Sequence, residues 1–341
     1  MSIYTSTFKS TIPSIVNCSK PLLIQMGKII GIDIGGTNVR VALASDKGKI
    51  LSRLNEKTDK LSGPKGLSRQ IIHMIHSLKT FEIDSIGIGS AGPLDLKEGS
   101  IVNSPHLGYK RIPLVGPLKR EFNIPVYLAN DCVAGVVAEK EYGHGKRYSN
   151  LVYVTMSTGI GAGVYADGRL LLGKDGNAHE IGHITIDYTG ALTCGCGCKG
   201  HWEAYCGGEN ALKFIKCQLE KKTQQAIESS LLYKISGGDL DRLTSQDLFE
   251  SAQKRDTISS EIVEEMGRLN AIGFANITNA YDPDLITIGG AIALANPNLI
   301  LDPVKKLIRY YSINRVPQIK LTALGGDIVL LGAIALSKLF D

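Results

Sequence analysis

Three of the most apolar strand-like runs in this chain end in glycine. They are GIDIGG (31–36), TMSTGIGAG (155–163) and LITIGGAIA (285–293). Glycine lets a strand turn sharply with its amide hydrogens pointing outward, and the missing side chain leaves room for an anion. A single turn of this kind is ordinary loop chemistry. The third follows a strand and precedes a helix-forming stretch, the place where a nucleotide lies against a sheet edge. The second carries two extra hydroxyls, Ser157 and Thr158. The first carries Asp33 inside its apolar run. A carboxylate there is costly unless paired or metal-bound, and beside a phosphate cradle the metal reading is Mg²⁺, held directly or through water.

The patterning around these turns is that of an α/β protein. KIIGIDIGG, VRVALAS and KILSRLNEK read as consecutive strands. In GLSRQIIHMIHSLKT, the apolar Leu67, Ile71, Ile75 and Leu78 recur at helical spacing. SIGIGSAGP and IPVYLAND are further strands, and CVAGVVAEKEYG is a helix. The second half restarts with strand, glycine turn and strand at NLVYVTMSTGIGAGVYADG, and RLLLG and HITIDY read as its continuation. Two helices, ENALKFIKCQLEKK and EIVEEMGRLNAIGFANITNAY, precede the strands LITIGG and IKLTALGG. DIVLLGAIALSKLF closes the chain as a helix. The halves rhyme, which predicts two α/β domains facing one another. Segment 221–256 is polar and reads as a helical surface excursion without chemistry.

Bulk properties exclude several classes of function. The 341 residues favour two domains, with 43% apolar and 21% charged content. The net charge of +5 includes no Lys/Arg-rich run of the kind that grips nucleic acid, so an anionic small molecule is the expected partner. No apolar stretch reaches membrane-spanning length, and no membrane partner is expected. Residues 1–25 lack a signal-peptide core and read as a disordered leader. Seven cysteines, an odd number, point to a reducing, cytoplasmic location.

Two clusters offer chemistry. Asn130–Asp131 sits where a strand meets a helix, and two readings of Asp131 are open. It is either an N-cap or the general base that accepts a hydroxyl proton during phosphoryl transfer. CGCGCKGHWE offers three thiols and a histidine, with His183 shortly before. Such a cluster points to structural Zn²⁺. One ligand set is His183, Cys194, Cys196 and His201; the other has Cys198 in place of His201.

DIGGTN, NDCVAGVVAEKEYGHGK, TMSTGIGAG, HEIGH, CGCGCKGHWEAY and GFANITNAYDPDLITIGG together resemble the ROK family of sugar kinases and repressors. The resemblance runs from about Met26 to the C-terminus. It implies a two-domain actin/hexokinase-like ATPase fold with a cleft between the domains. The expected boundaries are 26–129 plus the helix 328–341 for one domain, and 130–327 for the other. It implies ATP held by Asp33, Gly35, Gly36, Thr37, Ser157, Thr158, Gly159 and Gly161, with Gly289 and Gly290 beside the adenosine. It makes Asp131 the catalytic base and Asn130 the residue that orients the sugar. Glu180, His183 and Glu203 would contact sugar hydroxyls. Gly89 opens the sugar-side loop GSAGPLD, and Asn103 lies nearby in sequence. In the metal loop the family places a third Cys where this chain has His201, while Cys198 stands at a normally non-ligating place. The His201 set is therefore preferred.

The activity so implied is ATP- and Mg²⁺-dependent phosphorylation of a hexose at its 6-hydroxyl, with glucose first. N-acetylmannosamine or N-acetylglucosamine is the alternative substrate. Repressors of the family carry a helix-turn-helix before the kinase-like part. Only 32 residues precede Asp33, which argues against that reading. A homo-oligomer, dimer or tetramer, is implied by the resemblance.

Overall fold

The computed structural model describes residues 27–80, 82–104 and 107–340. The leader reading for residues 1–25 lies outside them.

The chain opens with the strands β1 (Lys28–Ile34), β2 (Asn38–Ser45) and β3 (Ile50–Lys57), followed by helix α1 (Gly66–Ser77) and strand β4 (Ser85–Ser90). A small antiparallel sheet, β5 (Leu94–Asp95), β6 (Ser100–Val102) and β7 (Arg111–Pro113), leads to α2 (Val115–Phe122). Strand β8 (Val126–Asn130) runs directly into α3 (Asp131–Glu141). The first large sheet has the order β3-β2-β1-β4-β8.

The second half repeats the opening with β9 (Leu151–Met156), β10 (Ile160–Ala166) and the short β11 (Arg169–Leu170). Helices α4 (Trp202–Cys206), α5 (Ala211–Leu219), α6 (Gln224–Ser229), α7 (Leu231–Ile235), α8 (Ser245–Gln253) and α9 (Thr257–Tyr281) follow. Strand β12 (Leu285–Gly289), helices α10 (Ala291–Ala295) and α11 (Pro297–Leu307), strand β13 (Gln318–Leu321) and helix α12 (Ile328–Phe340) complete the chain. The second large sheet has the order β11-β10-β9-β12-β13, the same mixture of antiparallel hairpin and parallel strands as the first.

Two sequence readings change here. HITIDY forms no strand: Ile181–His183 is a 3₁₀ turn, and the following residues contribute one isolated bridge, Thr185 to His201. Its alternating pattern lacks a strand neighbour long enough to complete a ladder. Segment 221–256 is helical as expected, yet it buries Leu232, Leu248, Phe249 and Ala252 in the core of the second half. Its polar residues face solvent, which hid the apolar stripe.

What places the functional residues is the period of two along β1. Ile30, Ile32 and Ile34 pack with Leu67, Ile71, Met74 and Ile75 of α1. Gly31 and Asp33 alternate with them and so face the opposite side, where α12 lies. A β-carbon at Gly31 would come within 2.5 Å of Ile334. On β4 the same holds for Gly87, 1.8 Å from the Ala333 carbonyl oxygen, and Gly89, 2.7 Å from Val329. Glycines thus pave a floor on which α12 rests, and Asp33 continues that row beyond Gly31. On the second sheet α3 lies against Gly161 and Gly163, whose β-carbons would meet the Cys132 sulfur and carbonyl oxygen at 2.6 and 2.2 Å. The two helices press together where Gly332 of α12 meets the Ala134 carbonyl of α3.

Gly332→Ala would put a β-carbon 1.8 Å from that carbonyl oxygen. The expected loss is about 2–3 kcal/mol of stability, read by denaturant unfolding. Gly116→Ala, in α2 with only the Arg120 tip within 3.4 Å, serves as the control and should be neutral or slightly stabilising.

Candidate active site and metal-binding loop

Asp131 is the first residue of α3. The helix is capped by its neighbour: Asn130 Oδ1 accepts the Cys132 N–H at 2.8 Å. Asp131 Oδ1 shares that N–H at 2.9 Å. The capping role therefore falls to Asn130, and Asp131 stands at the helix N-terminus as a carboxylate. Burial raises its pKa to about 6, and the negative charges of Asp33 and Glu180 add to the shift. The three acids come from β1, α3 and the loop before the 3₁₀ turn 181–183.

Asp33 is not left as a bare carboxylate. Its Oδ2 accepts from Arg40 Nε at 2.8 Å and also from Arg40 Nη2. Arg40 is its direct cross-strand partner on β2. The same guanidinium donates Nη1 to Asp327 Oδ1 at 3.0 Å and Nη2 to the Gly326 carbonyl at 2.7 Å. Arg53 Nη1 then meets Asp327 Oδ2 at 3.1 Å. Burial still holds the Asp33 pKa above its ordinary value, against the pull of Arg40. The sequence reading weighed pairing against metal and named only the metal. The missed partner had only a partial signal, the hairpin itself: it turns about Gly36–Thr37 and so sets Asp33 opposite Arg40. Asp327, far away in the chain, had none.

The three glycine turns differ in what their glycines do. In the first, Gly35 N–H donates to the Asn38 carbonyl, and Thr37 is exposed. In the second, Ser157 N–H donates to the Gly159 carbonyl, while Gly208 and Glu209 donate to the Ser157 and Thr158 carbonyls. A β-carbon on Gly159 would fall 2.3 Å from Glu203 Oε2. In the third, Gly290 has φ +88°, and a β-carbon there would fall 2.3 Å from the Met156 carbonyl. Gly289 meets the Tyr153 hydroxyl. The second and third turns are thereby joined through adjacent strands, β9 and β12. Gly89 has its open face against Val329 and Ala134, a packing position. Asn103 is exposed with φ +49°.

The third turn opens onto a groove of about 510 Å³ between α8 and α10. Phe249, Ile292 and Ala295 contribute apolar surface. Gln253 and Asn296 form a polar edge, with Gln253 Nε2 donating to Asn296 Oδ1 at 2.8 Å. One wall therefore comes from the segment expected to carry no chemistry.

In the metal loop, one donor atom from each of His183, Cys194, Cys196 and His201 lies within 4.8 Å of every other. Cys198 is exposed and outside this set; its carbonyl accepts the Cys194 N–H instead. Burial and the neighbouring His183 hold the His201 pKa down, which favours the neutral imidazole a metal requires. Cys194 Sγ also lies 3.7 Å from Glu203 Oε1, and Glu203 Oε2 accepts the Ile160 N–H at 2.8 Å. Glu203 thus links the metal loop to the second glycine turn. Glu180 is exposed, with Oε2 3.9 Å from His183 Nε2.

With this geometry in view, a family model described as ROK family matches residues 29–339. The chain belongs to the ROK family. The glucokinase of Pyrobaculum calidifontis is 38% identical over 313 residues, spanning 92% of this chain and 95% of that protein. The glucokinase of Thermotoga maritima is 31% identical over 315 residues, spanning 91% and 97%. A ROK family glucokinase from Streptomyces griseus, solved in complex with glucose and AMPPNP, has a TM-score of 0.75 at 28% identity, covering 91% of this chain and 99% of that one. The fold is the mixed α/β, hexokinase-like ATPase fold of ROK structures. Among the described residues, no helix is long and apolar enough to cross a membrane.

The raised Asp131 pKa in this ROK chain has a consequence for stability. Its folded value of about 6 exceeds the ordinary 3.8, so the folded state binds this proton more tightly. The stabilising contribution is complete below pH 4 and is lost as pH rises through 6. Asn at this position escapes the loss. Relative to wild type, Asp131→Asn should therefore gain up to about 3 kcal/mol between pH 4 and pH 7. Chemical denaturation at the two pH values reads the difference.

Proposed function

We propose that this ROK-family chain, an ATP-dependent sugar kinase, transfers the γ-phosphoryl group of ATP to the 6-hydroxyl of glucose. The observation that carries the reading is Asp131: a carboxylate with its pKa raised to about 6, free of the cap role, within the field of Asp33 and Glu180. The glucokinase relatives support the choice of sugar.

In the proposed reaction Asp131 accepts the proton of the sugar hydroxyl as its oxygen attacks the γ-phosphorus. The new oxygen–phosphorus bond forms while the bridging bond to the β-phosphate breaks, and ADP leaves with that electron pair. A base with a pKa near 6 is mostly ionised at neutral pH and still able to hold the proton. Such transfer depends chiefly on alignment and charge neutralisation. Asn130 orients the sugar; Glu180, His183 and Glu203 accept or share its hydroxyl protons, as carboxylates bonded to vicinal hydroxyls can. Asn103 belongs to the sugar side of the same proposal, while Gly89 packs against Val329 and Ala134 at the strand end that precedes its loop. The turns at Gly35, Gly36 and Thr37 and at Ser157, Thr158, Gly159 and Gly161 cradle phosphates, with the Gly35 and Ser157 amides taken up in shaping the turns themselves, and the groove beyond Gly289 and Gly290 receives the nucleobase. The two halves, 26–129 with 328–341 and 130–327, close on the ligands and exclude water.

The acids near Asp33 are hard oxygen donors of the kind that suit Mg²⁺. Asp33 would hold it, and the ion would neutralise phosphate charge. His183, Cys194, Cys196 and His201 match the two-thiolate, two-imidazole chemistry of a closed Zn²⁺ site, which would brace the loop bearing Glu203. The unpaired thiols suit a reducing cytoplasm.

Asp131→Asn should lower turnover by about 10²–10⁴-fold while calorimetry finds ATP affinity within a few-fold of wild type. In the wild type, log(kcat/KM) should fall below about pH 6 with unit slope. A coupled ADP-release assay across hexoses and N-acetylhexosamines should rank glucose first; higher kcat/KM on N-acetylmannosamine would transfer the assignment to that sugar. Elemental analysis should find about one zinc per chain, retained in Cys198→Ser and lost in His201→Ala. Zinc absent from fully active protein would remove the metal from the proposal.

A further inference from the structure

The guanidinium of Arg40 stands on Asp33 and on a second set of acceptors at once. Asp33 Oδ2 takes both Nε and Nη2. Asp327 Oδ1 and the Gly326 carbonyl take Nη1 and Nη2 on the other side. Asp327 has a further cation in Arg53. Two carboxylates and two guanidiniums balance, with Arg40 in the middle and Asp33 at one end.

This arrangement has a built-in asymmetry. If Asp33 gains another cation, Arg40 keeps Asp327 and Gly326 as partners. If Asp327 is neutralised, Arg40 retains only Asp33 as a charged acceptor. We propose that Arg40 is a tethered counter-ion that holds Asp33 when the nucleotide site is empty and yields it to the divalent cation that arrives with nucleotide. The proposal rests on the reading of Asp33 as the Mg²⁺ carboxylate. Arg40 is thus a positioning residue: it fixes the Asp33 carboxylate through hydrogen bonds and competes with free metal for it. Its position on β2 opposite Asp33 makes the competition intramolecular. Its two points of attachment make it reversible.

The test titrates full-length, nucleotide-free protein with Mn²⁺ and reads free Mn²⁺ by electron paramagnetic resonance. Thermal unfolding verifies that each variant is folded. Arg40→Met removes the competitor, and the Kd for Mn²⁺ should fall about tenfold. Asp327→Asn removes the alternative partner, and the Kd should rise about threefold. The Mg²⁺ concentration for half-maximal activity should move in the same two directions. If Arg40→Met is too unstable to purify, Arg40→Lys keeps the charge without the fork, and its Kd should lie below that of wild type. A clasp that only stabilises the fold would weaken Mn²⁺ binding in both variants or leave it unchanged in both, and either result overturns the proposal. Asp33→Asn separates the two levels. Undiminished Mn²⁺ binding there overturns the reading of Asp33 itself. Diminished binding there, with Arg40→Met unchanged, overturns only the role of Arg40.

Discussion

The close approach of two helices to two sheets governs this molecule. Helix α12 lies on Gly31, Gly87 and Gly89 of the first sheet, helix α3 lies on Gly161 and Gly163 of the second, and Gly332 meets Ala134 between them. At several of these contacts a β-carbon would stand closer than 2.7 Å to its neighbour. Side chains there would push the sheets apart, because packed interiors do not absorb added volume without strain. Glycine costs conformational entropy. What it allows is a short separation between the end of β1 and the start of α3. Asp33 and Asp131 sit at those two points, close enough for the charge of one to act on the other.

Electrostatics at the site follow from that closeness. Burial weakens solvation of each carboxylate, and mutual repulsion raises the cost of ionising them together. The protein meets the cost for Asp33 with Arg40, while burial and the charges of Asp33 and Glu180 raise the pKa of Asp131. One acid is therefore held by a counter-ion, and the other binds its proton more tightly than an ordinary aspartate. The loop that carries the Cys/His cluster bears on a different element. Through Glu203, it ties the Cys/His cluster to the backbone of the second glycine turn. Disorder in the loop would be felt first at Ile160 and Gly159.

The glycine turns show how one residue type serves separate ends. Gly290 is required by its positive φ and by the Met156 carbonyl beneath it. Gly159 is required by Glu203, and Gly163 by the body of α3. Quoted as motifs, these glycines look alike. Only their neighbours tell a phosphate cradle from a packing contact, and Gly89 in particular is a packing glycine.

Much of the fold was legible in the chain. Alternation along β1 and the helical spacing of Leu67, Ile71 and Ile75 depend on local periodicity, which sequence carries directly. Motif order pointed to the family, and the glycines after β1 announced a hairpin, though not the register that sets Asp33 opposite Arg40. The clustering of Cys194, Cys196 and His201 is likewise local. Tertiary structure alone decided the rest. Asp327 meets Arg40 across 287 positions of chain, and α8 becomes a wall of the groove beside α10 only because the second half folds back on β12. HITIDY failed as a strand for the same reason: alternation proposes a strand, but a ladder needs a partner in space. Periodicity belongs to the chain, whereas pairing, burial and charge environment belong to neighbours that the chain acquires on folding.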